Sequence, residues 1–224
     1  MPLTSFPNPR KCVLIKSLLE SVSDSIRQRS APSTMEIPLF PLGSILFPEG
    51  AMALKIFEAR YMDMAKAALK AAAPFGIVLI REGEEVGAPA SPHPVGTMAR
   101  IGDWDMPELG VLQVQVRGEG RFRIRSQAVQ KSGLIIGTVE MVAPDSVSDC
   151  PELAPCANFL KKVLLQVGRE HEDRKFDDAS WVSFRITELL PFSNTIKQKM
   201  LELTDARMRL EVLYRFLREQ KLAA

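Results

Sequence analysis

At 224 residues, with 46% hydrophobic and 25% charged side chains, the chain is long enough to bury a sizeable core and reads as a soluble globular protein of one domain or two small ones. Its 29 basic and 27 acidic residues leave a net charge of +2, and the positive excess sits in the first 34 residues. No global basic field therefore draws the body of the chain to nucleic acid or anionic lipid.

Residues 1–34 begin with the proline-rich MPLTSFPNPRK and continue with Leu14, Leu18, Val22 and Ile26 on one helical face. Lys16 interrupts the only apolar segment, so a signal peptide does not fit. A basic, Ser-rich, amphipathic start also has the character of a transit peptide. The reading adopted is an N-terminal extension, disordered or partly helical, with Met35 as the working initiator. Residues 36–64 then read as strand, turn, strand, helix. Pro38, Pro41 and Pro48 lack a ladder donor, which restricts residues 37–47 to edge strand or irregular extended chain. Residues 51–57 can pair normally, and the helix opening at Glu58 has Tyr61, Met64, Ala65, Ala68 and Leu69 at helical spacing.

From residue 74 to 141 the apolar pattern has period two, with Gly and Pro clusters at 83–94 and 102–110 as turns. The longest apolar stretch, residues 67–80, is broken by Lys70 and Pro74 and is too short to span a bilayer. In residues 111–125, Leu112, Val114, Val116, Phe122 and Ile124 share the core phase, while Arg117, Arg121, Arg123 and Arg125 share the wet one. Gly118 and Gly120 fall on the core face, where missing side chains let a long strand bend into a small barrel. After Pro144 the texture becomes helical: residues 151–167, 178–190 and 196–217 carry apolar residues at steps of three, four or seven, with Pro191 as a stop and Ser193 or Asn194 as a cap. The fold class is α+β, divided into the extension (1–34), a strand-rich part (35–144) and a helix-rich part (145–224).

PLFPLGSILFP followed by LKIFEARY resembles the opening of the Lon N-terminal domain, the substrate-recognition module of Lon proteases. PFGIVLI at 74–80, VGTMARI at 95–101, VRGEGRFRI at 116–124 and ELLPFSNTIKQKMLELTDARMRLEVL at 188–213 match that domain's later motifs in order, so the resemblance covers about residues 36–217. It implies a PUA-like β pseudo-barrel followed by a helical bundle. It also implies a non-enzymatic module that recognises segments of unfolded or damaged polypeptides, linked to a protease or chaperone. RNA binding is the alternative, because PUA-like barrels also recognise RNA. The chain has no Gly-x4-Gly-Lys-Ser/Thr phosphate loop, no GxSxG elbow and no second histidine after His171-Glu172, and the family's ATPase and Ser-Lys peptidase segments have no counterpart in it. An enzyme with a small-molecule pocket is the third reading.

Cys12, Cys150 and Cys156 form an odd set without a CxxC pair, and His93 and His171 are not at metal-ligand spacing from them. No disulfide framework, metal or cofactor is expected, and the natural setting is a reducing cytoplasm. The candidate peptide-binding residues are Glu58, Arg60 and Tyr61 at the helix mouth, Trp104 between Asp103 and Asp105 in a hairpin connection, and Arg121 and Arg123 on the arginine strand. Each also has a structural reading: a charge pair at a strand-to-helix corner, a tryptophan folded over a barrel end, or a solvated strand face.

Overall fold

The computed structural model describes residues 34–145, 150–168 and 175–222; the expected extension, Cys12 and His171 lie outside them. The elements in order are β1 (Thr34–Leu42), β2 (Ala51–Ile56), α1 (Ala59–Ala71), β3 (Phe75–Glu82), β4 (Ser91–Pro92), β5 (Val95–Glu108), β6 (Val111–Val129) and β7 (Ile135–Met141). Four helices follow: α2 (Leu153–Gln166), α3 (Ala179–Leu189), α4 (Asn194–Glu202) and α5 (Ala206–Glu219). The α+β class and the order of strands before helices are as expected.

The strands run β1-β7-β6-β5-β3, and β1 also pairs with β3 in parallel, which closes these five into a barrel. Each contributes to one interior: Ile37 and Leu39, Val78, Met98, Phe122, and Ile135 with Val139 form a buried cluster. So narrow a barrel has no room for a full set of side chains. A Cβ on Gly76 would stand 2.6 Å from the Phe122 ring, and one on Gly137 would stand 2.8 Å from Leu39. Opposite faces of the same strands form a second cluster, in which Phe40, Phe75 and Ile77 meet Tyr61, Met64, Ala65 and Ala68 of α1, together with Leu54, Leu112 and Val114. The first part of β1 pairs with β7 and its end with β3. Each half thus has one neighbour, the setting in which Pro38 and Pro41 are tolerated.

Three expectations need correction. The first concerns β6, whose alternation holds from Leu112 to Gly118 and then shifts: Ala99 pairs with Gly118 but Thr97 with Arg121, so β6 has an extra residue there. This bulge puts Arg121 on the face of Gly118 and turns Phe122 into the barrel. Arg121 is accordingly buried, not solvated. Gly118 is where the chain crowds most, since a Cβ would collide with the Phe47 carbonyl oxygen. Second, residues 102–110 are not a loop: β5 continues to Glu108, and the hairpin turns at Leu109 and Gly110, where Gly110 supplies a φ of 84°. Third, residues 196–217 are two helices, because the Asp205 carboxylate accepts hydrogen bonds from the Arg207 and Met208 N–H groups and starts α5 afresh. The expected Ser193 cap is present, accepting from Ile196 N–H.

The helices bury their own cluster around Leu160, Leu164, Trp181, Ile186, Leu210 and Leu213. Strands and helices belong to one compact unit, Thr34–Ala224. Phe47 and Val95 from the strand side pack with Phe184 and Leu201 from the helices. Polar contacts reinforce that seam: Gln198 Nε2 donates to Val95 O at 3.1 Å, and Arg185 Nη2 to Pro48 O at 2.9 Å. No helix among the described residues is long and apolar enough to cross a membrane.

Candidate functional site

At the mouth of α1, Arg60 Nη2 pairs with Glu58 Oε2 at 2.9 Å, and Nη1 donates to Gly133 O at 3.1 Å. The guanidinium also lies 4.7 Å from the centre of the Tyr61 ring, which stacks on Phe40 at 4.2 Å. Arg60 and Tyr61 are buried, and burial pushes the Tyr61 hydroxyl above its ordinary pKa against the opposing pull of Arg60. These contacts fasten the strand-to-helix corner to the β6–β7 turn. The Glu58 carboxylate also reaches Gly87 N–H at 3.5 Å, bringing the β3–β4 loop over the corner.

That loop forms one wall of a groove of about 360 Å³. Glu85 Oε1 accepts from Gly43 N–H at 2.5 Å, so the loop is tied at a second point beside the end of β1. Phe40, Leu42 and Tyr61 lie within the groove, β2 from Met52 to Ile56 runs along it, and Phe57 and Val86 stand beside it, more than half exposed. A recess of mixed character, with apolar side chains beside Glu58, Glu85 and Lys55, can hold apolar side chains while meeting the charges of an extended chain.

Trp104 lies within β5 opposite Val114, not in a connection, and is 58% exposed. Toward the hairpin tip, Met106 and the fully exposed Leu109 continue the apolar surface, between Asp103, Asp105 and Glu108. A shallower recess of about 320 Å³ next to Trp104 shares Ala53, Leu54 and Lys55 with the first groove, so β2 separates the two.

Arg121 belongs elsewhere. Its guanidinium donates to Leu201 O at 2.9 Å, Leu203 O at 2.6 Å and Asp145 Oδ1 at 2.9 Å. Asp145 also receives Arg209 Nη2 and Ser180 Oγ, each at 2.5 Å, and both guanidiniums lie over the Phe184 ring. Burial alone would raise the Asp145 pKa, but the hydrogen bonds from Arg209 and Ser180 and the two cationic charges hold it below the usual carboxylate range. This cluster is a clamp between strands and helices. Asp145 and Arg209 were not among the residues singled out from sequence. Arg209 had left a signal, a charge next to Leu210 and one turn from Leu213 on the apolar face of its helix. Arg123 is half-buried on β6, and Arg125 pairs with Glu140, its Nε donating at 2.6 Å. The structure thus brings Glu58, Arg60 and Tyr61 together, sets Trp104 on the neighbouring recess, and separates Arg121 and Arg123 from both.

A cavity of about 730 Å³ borders the clamp, and in its lining Lys175 pairs with Glu49 at 2.9 Å and Arg121 with Asp145. Among the described residues no group of His, Cys, Asp and Glu is arranged to hold a metal ion.

Residues 36–219 match the family model of the ATP-dependent protease La (LON) substrate-binding domain. The chain belongs to that family. Among solved structures, the Lon N-terminal domain protein from Xanthomonas campestris is similar at 36% identity with a TM-score of 0.68, covering 80% of this chain and 96% of that one. The N-terminal domain of the Mycobacterium avium complex Lon protease shares the fold at 20% identity and a TM-score of 0.62, with the same coverage. No curated protein matches the chain.

Proposed function

We propose that this Lon substrate-binding domain protein recognises segments of unfolded or damaged polypeptides, without chemistry of its own, and passes them to a protease or chaperone in the cytoplasm. The family supplies the general role of substrate recognition. The observation that carries the finer reading is the groove beside β2, which has Phe40, Leu42, Leu54, Ile56 and Tyr61 in its lining and continues past the exposed Phe57 and Val86, while Trp104, Met106 and Leu109 stand exposed on the adjoining hairpin. Apolar residues kept in water at this density are what a surface for unfolded chains requires. Glu58, Arg60 and Tyr61 act here by shaping the groove's end, and Trp104 by direct contact.

The arginine strand lends little to the RNA reading. Arg121 is committed to Asp145 and two carbonyls, and Arg125 to Glu140. Binding of reduced, carboxymethylated α-lactalbumin, compared with single-stranded RNA across a salt series, tests the choice. The unfolded protein is expected to bind with little loss at high salt, as apolar contact dictates. Tight RNA binding with a salt slope of several phosphates, and none to the unfolded protein, would overturn the reading.

A further inference from the structure

β2 has a single neighbour. Its six residues pair with β6 in unbroken register, from Ala51 opposite Arg117 to Ile56 opposite Leu112, and among the described residues no strand meets its other edge. A strand sends its N–H and C=O groups alternately to its two sides, so half of those on β2 point away from β6 without a ladder partner. Edges are ordinarily blunted by proline, charge or bulges. Here β1 carries Pro38 and Pro41, and the β5–β6 ladder is bulged, whereas β2 contains no proline and no bulge, and Lys55 is its one charged residue.

The 360 Å³ groove lies along this unpaired edge. It is lined by Ala53 and Lys55, which face solvent, and also by Leu54 and Ile56, which face the core. A groove running beside the backbone meets both sets, and this one also reaches Phe40, Leu42 and Ser44, away from β6. Its far wall is Ser44 with Glu85 and Val86. A recess of this size falls at the small end of ligand clefts, which run from about 300 to 1,000 Å³, and it suits one extended chain better than the edge of a second folded copy. Charge narrows the occupant further: Glu85 lines the groove and Glu84 stands exposed in the same loop, against Lys55 on β2, while Glu58 at the groove's end is paired with Arg60.

Resting on the polypeptide-recognition reading above, we infer that the free edge of β2 takes a client segment as an added β-strand. Main-chain hydrogen bonds hold the segment, every second side chain is apolar and enters the groove over Leu54, Ile56 and Tyr61, and lysine or arginine flanks meet the carboxylate rim. Main-chain pairing gives affinity for many sequences, and the alternate pockets set the pattern preferred.

The test uses a fluorescein-labelled decapeptide alternating Leu and Thr with terminal lysines, followed by anisotropy, and two versions N-methylated on either the Leu or the Thr amides. Methylation of one set should weaken binding at least tenfold and of the other set less than twofold, because only one set of amides faces β2. Ser44→Trp, which plugs the groove from an exposed position, should weaken the parent peptide at least tenfold without moving the melting temperature. Equal binding of all three peptides, or full binding to the Ser44→Trp protein, overturns strand addition at β2. So does failure of the parent peptide to bind a protein that does bind reduced, carboxymethylated α-lactalbumin, and in each of these cases polypeptide recognition stands. Failure of both ligands overturns the two readings together.

Discussion

Replacing Asp145 by alanine would remove the one carboxylate that two buried guanidiniums share. Arg121, Arg209 and Asp145 have side chains no more than 4% exposed, so their charges are shielded from solvent in the folded protein. Breaking a buried ion pair from one side costs about 3–5 kcal/mol. The Leu201 and Leu203 carbonyls remain as acceptors for the two arginines, which places the expected loss near the lower end, about 3 kcal/mol. For a chain of this size that corresponds to a fall in melting temperature of roughly 6–12 °C. Urea unfolding followed by the fluorescence of Trp181, buried among the helices, measures it directly. Asp145→Asn adds a pH signature. The carboxyl titrates lower in the folded protein than in the unfolded chain, so its contribution is complete above the unfolded value of about 4 and is lost as pH falls through the folded value. Arginine keeps its proton throughout. The stability gap between wild type and Asp145→Asn should therefore be constant near neutrality and close on acidification below about pH 4. A loss under about 1 kcal/mol for the alanine variant, or a gap indifferent to acid, would refute the clamp.

Gly118→Ala should cost about 2–3 kcal/mol in chemical denaturation, because the new methyl meets the Phe47 carbonyl on a backbone pinned by Gly118 N–H to Gly50 O and Glu49 N–H to Gly118 O, both 2.8 Å; an unchanged midpoint would show that the bend yields freely. Burial, aided by Glu152, pushes the Cys156 thiol up to about 12, so a disulfide reagent at pH 8 should modify it only at the rate of unfolding, and rapid labelling mapped to Cys156 in the folded protein would contradict its placement. Trp104→Ala should leave stability within about 0.5 kcal/mol while lowering affinity for an unfolded client several-fold; unchanged affinity would remove Trp104 from the binding surface.

Local pattern made much of this fold legible. The period-two run from Leu112 to Val116, the apolar face of α1 and the Ser193 cap all depend on neighbours within a few residues. What was not legible depends on pairing across the sheet. The bulge after Gly118 is a mismatch between β5 and β6, and one extra residue sufficed to bury Arg121 and to aim Phe122 into the barrel. Trp104 was assigned to a connection because Gly102 and Pro107 suggested a turn, while the ladder ran on to Glu108. The break between α4 and α5 was written in Thr204-Asp205, a usable cap hidden by apolar spacing that continues across it. Glu58 and Tyr61 in the LKIFEARY segment marked one end of the groove. Its long side did not show, since whether β2 has one neighbour or two is set by where the barrel closes.

Hydrogen exchange of the protein with and without a saturating unfolded client tests polypeptide recognition at this groove most directly. Protection is expected at the amides of residues 51–57 and of the facing loop around 85–87, with the barrel interior at Leu39 and Val139 unchanged. Protection absent from β2 and gathered on the exposed part of the arginine strand, around Arg123 and Arg125, would contradict it.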